Sequence, residues 1–367
     1  MELLIIVIII AAAVAAEQAL YSRFGGMNVK YSCGFEDETI NEGDETDFAE
    51  IVENRKLLPV PWLKSELTIP AAIEPVNGDS TAAGNDRFIT GFFKVKSYSG
   101  IKRVRRVKAM KRGVYSVSAA RVQTADILGG IRVSISADEK GGTLTVLPVS
   151  AHTETVLPER MRRQTGEMLV RNSLVTDPFF TSGVRCYEQG DPMKRIHWNA
   201  SAHMQELMVR LEEKTARRCI LIILNLQTDP EEIGISTADE PLAEHTIRLC
   251  VQCIEEAVNE GYNITLCSCG FTPKGEPLLM NDTSLLSALY ALAEISVTEY
   301  MPFRQFIKGY IIIPPDTSAV LITPYTDDAA MLWKRQNHDS SVVVSGKGKD
   351  YAGIADIILP EPERSDV

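Results

Sequence analysis

The spacing of apolar residues changes several times along the chain, and each change marks a part of it. Leu3 to Ala16 is an unbroken apolar run. Continued through Tyr21 it predicts a helix barely long enough for a bilayer, which needs ~20 residues. Residues 1–24 are therefore expected to form a membrane anchor that enters lipid through residues 3–21. From 28 to 150 the period falls to two. Leu63, Leu67 and Ile69 alternate with Lys64, Glu66 and Thr68, and Ile131, Val133 and Ile135 with Arg132 and Ser134. Short strands of this kind, parted by Gly, Pro, Asn and Asp clusters, predict an all-β, sandwich-like domain. Gly141-Gly142 opens its last strand, Thr143 to Val149.

Residues 151–182 hold no sustained period and read as an irregular connection. Beyond them, 183–360 alternates strand and helix. Ile220 to Leu226 is a fully apolar strand; Leu242 to Asn259 has helical spacing and stops at Gly261; Ile264 to Cys269 is a second strand. Ser284 to Ile295 predicts another helix, and Ala319 to Thr323 and Ser341 to Val344 two more strands. Strand, helix and strand in that order call for a crossover connection and a parallel sheet, hence a doubly wound α/β domain. Residues 361–367 are left as a tail.

Charge is distributed in blocks. Glu36 to Glu53 carries acidic residues and no basic one, whereas Lys94 to Arg112 carries basic residues and no acidic one. Three arrangements fit: two solvated faces, cross-strand pairing of the blocks within one sheet, or a basic strand facing anionic lipid.

The densest chemistry lies in Gly183 to Lys214. Arg185 and Tyr187 alternate with Val184 and Cys186 as in a strand, Gly190 permits a turn, and Asp191-Pro192 is a helix start. In that helix Met193, Ile196 and Ala200 share one face and Trp198 and Ala202 a neighbouring one, so most of one side is expected to be buried. Leu207, Val209 and Leu211 then return to strand period. Arg185, Asp191, Arg195, His197 and Trp198 could serve as a buried knot locking a corner, as a ligand or catalytic site, or as a docking surface. His197 and His203 lie six apart, far round a helix from each other, which disfavours a shared metal.

The string Arg-x-Tyr-x-x-Gly-Asp-x-x-x-x-Ile-His-Trp-x-x-x-Ala, followed by Glu-Leu-Met-Val-Arg, covers Arg185, Tyr187, Gly190, Asp191, Ile196, His197, Trp198, Ala202 and Arg210. It resembles the signature of the bacterial "domain of unknown function 58" family. Arg112, Gly113 and Tyr115, and an Asp126 to Gly129 turn, extend the resemblance into the β-rich region. The resemblance implies a von Willebrand factor type A-like α/β domain. It also implies MoxR-type AAA ATPases and proteins bearing type A domains as partners, and it implies no reaction. The family usually carries a membrane hairpin; this chain shows one span.

With 367 residues there is room for two domains, and a net charge of −11 argues against nucleic acid as a partner. The seven cysteines show no paired metal-type spacing and are expected to be reduced thiols. Arg23 and Lys30 follow the apolar run, which places the soluble part in the cytoplasm. A cleaved signal peptide is the rival reading, but Glu2 stands where a basic segment would be expected.

Type A folds bind magnesium where the first strand ends in Asp-x-Ser-x-Ser. Here the chain reads Asn225, Leu226, Gln227, Thr228 and Asp229, so the neutralising carboxylate is replaced by an amide. Thr323, Thr326, Asp327 and Asp328 could still gather nearby. No phosphate loop is present, Gly346 to Lys349 lacking its spacing, and no nucleophile elbow; neither metal nor cofactor is expected. The leading expectation is a membrane-anchored, non-enzymatic scaffold. Its rivals are a hydrolase or transferase using Asp191 and His197, with Cys186 or His203 as further candidates, and an exported module binding cell-wall polymer.

Overall fold

The structure is a computed structural model. It describes residues 2–76, 80–117, 119–129, 132–135, 137–138, 142–153, 155–163, 181–188, 191, 193–212, 218–230, 239–314, 317–337, 339–346, 349–350 and 352–359. The chain divides into one unit of Met1–Val149 with Leu289–Ile295 and a second of Ser150–Ala288 with Ser296–Val367.

In the first unit, helix α1 (Glu2–Phe24) is apolar and long enough to cross a membrane. Among the described residues thirteen strands follow: β1 (Val29–Phe35), β2 (Thr39–Asn41), β3 (Glu45–Asn54), β4 (Val60–Pro70), β5 (Ile73–Pro75), β6 (Ser80–Ala83), β7 (Asp86–Val95), β8 (Ser99–Ala109), β9 (Gly113–Tyr115), β10 (Ala119–Ala125), β11 (Arg132–Ile135), β12 (Ala137–Asp138) and β13 (Leu144–Leu147). One sheet runs β12-β1-β3-β8-β5, another β11-β10-β4-β7-β6, and a small third β2-β13-β9. Period two does the folding. Leu63, Leu67 and Ile69 of β4 and Ile89 and Phe93 of β7 meet Tyr31 of β1, Phe48 and Val52 of β3 and Val107 of β8 in a single core. Lys64, Glu66 and Thr68 stay in partial contact with water. Ile131 and Gly141 lie outside the described residues.

The charge blocks pair across a sheet. Strands β3 and β8 are antiparallel, with Glu45 opposite Lys108, Asp47 opposite Arg106 and Glu50 opposite Arg103. Lys102 reaches Glu36 (2.6 Å), and Arg106 lies near Asp47 (3.6 Å) and Glu45 (3.8 Å), all at the surface where each pair contributes little. Glu50 differs, being fully buried. Its carboxylate accepts from Tyr31 Oη (2.8 Å), Ser65 Oγ (2.8 Å) and Arg105 Nε (3.1 Å), so a buried carboxylate is paired with a mostly buried guanidinium at the edge of the apolar core.

In the second unit, the described start of the connection is ordered. Val156, Leu157 and Met161 are buried, and Glu256 accepts from the amides of Val156 (3.2 Å) and Leu157 (2.8 Å). A short helix α2 (Glu159–Arg163) follows, and residues 164–180 lie outside the description, as does the tail 361–367. Strands β14 (Thr181–Cys186) and β15 (Met208–Glu212) form a ribbon around helix α3 (Trp198–Met204).

The main sheet contains β16 (Cys219–Leu224), β17 (Asn263–Phe271), β18 (Pro277–Thr283), β19 (Thr317–Thr323), β20 (Ser340–Val344) and β21 (Ile357–Ile358) in the order β18-β17-β16-β19-β20-β21. All neighbours pair in parallel except β18, an antiparallel edge strand. Helix α4 (Glu240–Asn259) links β16 to β17; α5 (Leu285–Glu294) and α6 (Phe303–Tyr310) precede β19, and α7 (Asp328–Gln336) precedes β20. Strands β16 and β20 are almost wholly buried on both alternating sets of side chains, as a sheet covered on two faces requires. The strand predicted at Ile220 to Leu226 and the helix at Leu242 to Asn259 are present. Strand β18 and helices α6 and α7 were not expected.

Candidate functional site

Two places could carry chemistry, the ribbon corner and the carboxyl edge of the main sheet. At the corner, Val184 stands opposite Arg210 and Cys186 opposite Met208. As the chain leaves β14, Tyr187 N donates to Leu207 O (2.7 Å). Asp191 then closes a turn. Its carboxylate accepts from Glu188 N (3.0 Å) and from the Arg185 guanidinium (2.6 Å), which also reaches Cys186 O (3.0 Å). The hydrogen bond from Arg185 to Asp191 holds the guanidinium above its ordinary pKa. The pair is open to water, so it fixes geometry more than it adds stability.

Asp191 therefore does not cap the helix that the sequence suggested there. With its oxygens engaged by Arg185 and Glu188, the next residues form a 3-10 turn, Met193–Arg195, and the α-helix starts later. His197 is the cap, its Nδ1 accepting from Ala200 N (3.1 Å) and its own amide donating to Met208 O (2.8 Å). Ser201 ties the helix to β15: its Oγ donates to His197 O (3.0 Å) and accepts from Met208 N (2.8 Å). Gln205, with φ of 60°, takes the left-handed conformation that turns α3 into the strand. Ser201→Ala should lower the stability of this corner by about 1–2 kcal/mol by orphaning the Met208 amide. Faster hydrogen exchange at Met208 is the readout; unchanged exchange would count against the tie.

The expected buried side of this helix is also corrected. Ile196 is buried, bridged to Val209, but Met193, Ala202 and His203 are exposed and Trp198 is 66% exposed. A helix this short, held by backbone and Ser201 hydrogen bonds, contributes no buried side chain of its own. Trp198 and Ala202, four apart, share one open face. Of the residues in the buried-knot reading, Arg185 and Asp191 pair in a frame open to water, His197 caps α3 and Trp198 is exposed. Gly190 and the side chains of Arg195 and Arg210 lie outside the described residues.

At the main sheet, the second strand in sequence is added on one side of β16 and β19 on the other, so the topological switch lies between β16 and β19. Asn225 and Thr323 meet there. Asn225 Nδ2 donates to Thr323 Oγ1 (2.9 Å), which donates to Tyr325 O (2.6 Å), and Asn225 Oδ1 accepts from Gln227 N (3.0 Å). Gln227 is held at both ends, Oε1 by Phe303 N (3.0 Å) and Nε2 by Asp229 O (2.8 Å). Asp327 caps α7 through Ala330 N (2.9 Å) and pairs with Arg304 (3.0 Å); Thr326 donates to Asp350 (2.6 Å). The buried Cys269 thiol, pushed up to about 11 by desolvation, lies 3.5 Å from Asn225 Oδ1. These polar groups are spent on one another. Among the described residues no group of three His, Cys, Asp or Glu side chains could hold a metal ion.

A groove of about 680 Å³ beside β20 is lined by Arg160, Arg162, Glu159, Ser341 and Asp356 among others. Arg160 is committed to the strand, donating to Ser341 Oγ (2.7 Å) and Ser340 O. No local pattern marks it, because its lining comes from segments ~180 residues apart.

Fold and site together define a chain with an N-terminal apolar helix, a β-sandwich unit and a second unit combining strands with helices. No protein-family model matches it, and no curated protein matches it. Among solved structures it is similar to a non-cellulosomal cohesin from the archaeon Archaeoglobus fulgidus, at 15% identity and a TM-score of 0.24, covering 34% of this chain and 94% of that one. It is similar to the seventh ScaB type I cohesin from Pseudobacteroides cellulosolvens at 14% identity and 0.24, covering 34% and 96%. A CARDB domain from Pyrococcus furiosus is similar at 10% identity and 0.20, covering 32% and 87%. Likenesses at these scores assign neither a family nor a partner.

Proposed function

We propose that the protein is a membrane-anchored, non-enzymatic scaffold or adaptor that acts with a MoxR-type AAA ATPase in assembling or activating other complexes, proteins with type A domains among them. The observation that carries this reading is Trp198, an indole 66% exposed on a helix whose position is fixed by His197, Ser201 and the Arg185 to Asp191 frame. An exposed, preorganised Trp is the kind of residue that anchors protein interfaces. His197 spends Nδ1 and Asp191 spends both oxygens on local backbone and Arg185, which supports a structural frame over acid–base chemistry.

The second unit is read as a type A-like domain that does not hold magnesium. Support comes from a parallel sheet with an antiparallel edge strand and a switch point filled by Asn225 and Thr323. Helix α1 is read as an uncleaved anchor with the soluble units on the cytoplasmic side. Arg23 following the apolar stretch and seven free cysteines favour that side. The resemblance in the ribbon corner supplies the partner class.

The test uses the detergent-solubilised full chain, immobilised, with purified MoxR-type AAA ATPase in the presence of ATP or ADP. Retention of the ATPase in a nucleotide-dependent manner is expected; no retention with either nucleotide would sink the reading.

A further inference from the structure

The end of α1 does not stand clear of the first unit; two turns of the β-sandwich grip it, and a third, at residues 96–98, braces one of them. Lys56 Nζ donates to Phe24 O (2.7 Å) and to Gly25 O, completing carbonyls that the last helical turn leaves open. Tyr21 Oη donates to Pro59 O (3.3 Å). Higher on the helix, Glu17 Oε1 accepts from the Ile127 amide (2.9 Å), so the Asp126 to Gly129 turn climbs ~10 Å along the axis from Phe24 at ~1.5 Å per residue. The grip is stitched together. Asn54 Nδ2 donates to Leu58 O (2.9 Å) and Lys96 O (3.0 Å), Tyr98 N donates to Lys56 O (3.1 Å), and Ser97 Oγ donates to Leu57 O.

These turns carry large apolar side chains that nothing in the unit covers. Leu57 is 75% exposed, Tyr98 70%, Leu128 63% and Ile127 57%, and Leu20 and Phe24 are exposed on the helix they surround. Soluble turns are ordinarily built from Gly, Asn, Asp and Ser, and apolar patches of this kind mark an interaction surface.

The occupant follows from the helix. Leu3 to Ala16, the apolar stretch between Glu2 and Glu17, is about 21 Å long at ~1.5 Å per residue, short of the ~30 Å hydrocarbon core. From Glu17 on, one side of the helix, at Glu17, Gln18 and Tyr21, lies against protein, while Leu20, Arg23 and Phe24 stay exposed. We infer that Leu57, Tyr98, Ile127 and Leu128 form a collar that dips into the bilayer interface around α1, seating the sandwich on the membrane and making up the missing depth. Burial of ~5–10 Å is usual for interfacial apolar groups and matches the shortfall. Tyr98 suits the headgroup level, where an aromatic ring with a polar tip is favoured, and exposed Arg23 and Lys96 lie beside the collar to meet headgroups. At that depth Glu17 Oε1 accepts from the Ile127 amide, while its buried Oε2 has no hydrogen-bond partner among the described residues. The inference rests on α1 being a membrane anchor.

The experiment reconstitutes the full chain in phosphatidylcholine and phosphatidylglycerol vesicles. In a Cys186→Ser, Cys219→Ser background, which removes the thiols that are not buried, nitroxides are placed through Leu57→Cys, Ile127→Cys and, on the exposed sheet face, Thr90→Cys. Collisions with oxygen and with a water-soluble nickel chelate then report depth. Labels at 57 and 127 should favour oxygen and the label at 90 the chelate. If the protein resists alkaline carbonate extraction yet labels 57 and 127 favour the chelate, the collar is wrong and the anchor stands. Immobilised labels shielded from both reagents would mean that protein covers the patch, which overturns the proposal too. Release by carbonate would overturn anchor and collar together.

Discussion

Arg105→Met will cost the β-sandwich about 3–5 kcal/mol, the usual penalty for stranding one partner of a buried ion pair. Glu50 is inaccessible to water and accepts from Tyr31, Ser65 and Arg105; without the guanidinium, two neutral hydroxyls must hold the carboxylate alone. Burial and the neighbouring Glu50 keep the Tyr31 phenol far above its ordinary pKa, so it stays a donor and cannot relieve the charge. Combining Arg105→Met with Glu50→Gln should recover most of the loss, since a neutral amide can be served by hydroxyls. Hydrogen exchange across β3 and β8 in the full chain reads the effect on this unit alone. A change under about 1 kcal/mol in the single variant would mean that water already reaches Glu50.

Asn225→Asp will be destabilising by a similar amount, about 3–5 kcal/mol, because it places a carboxylate in a buried knot that, among the described residues, has no cation. The amide donates to Thr323 Oγ1, whose own proton goes to Tyr325 O, so the new oxygen would face a lone pair. Millimolar magnesium should not restore stability. Gln227 is pinned to Phe303 and Asp229 and cannot turn its carbonyl to a cation. Thermal unfolding with and without magnesium is the check. A midpoint that rises with magnesium, in the variant or the native chain, would reveal a metal site that the hydrogen bonding argues against.

Much of the fold could be read from period alone: β4 from the alternation of Leu63 to Ile69, β16 from its apolar run, α4 from apolar residues at helical spacing. Cross-strand pairing of the charge blocks was one of three readings, and the register of β3 on β8 decides it. What could not be read depends on partners distant in sequence. Asp191 looks like a cap until Arg185 takes it, and Trp198 looks like a core residue until Ser201 shows that α3 is held by hydrogen bonds instead. Lys56 on the carbonyls of Phe24 and Gly25 joins residues more than thirty apart, beyond any local pattern. Strand β18 was missed because only one of its faces is covered, leaving Leu279 to Asp282 without a clear apolar period.

The proposed function makes the ribbon corner a contact surface. Trp198→Ala removes an exposed indole from a helix fixed by other residues, so thermal unfolding of the full chain should shift by no more than surface substitutions usually do, within ~0.5 kcal/mol. In the same preparation, nucleotide-dependent retention of the AAA ATPase should fall at least tenfold, the loss of an interface anchor worth ~1.4 kcal/mol or more. Retention equal to that of the unchanged chain, with the fold intact, would contradict it.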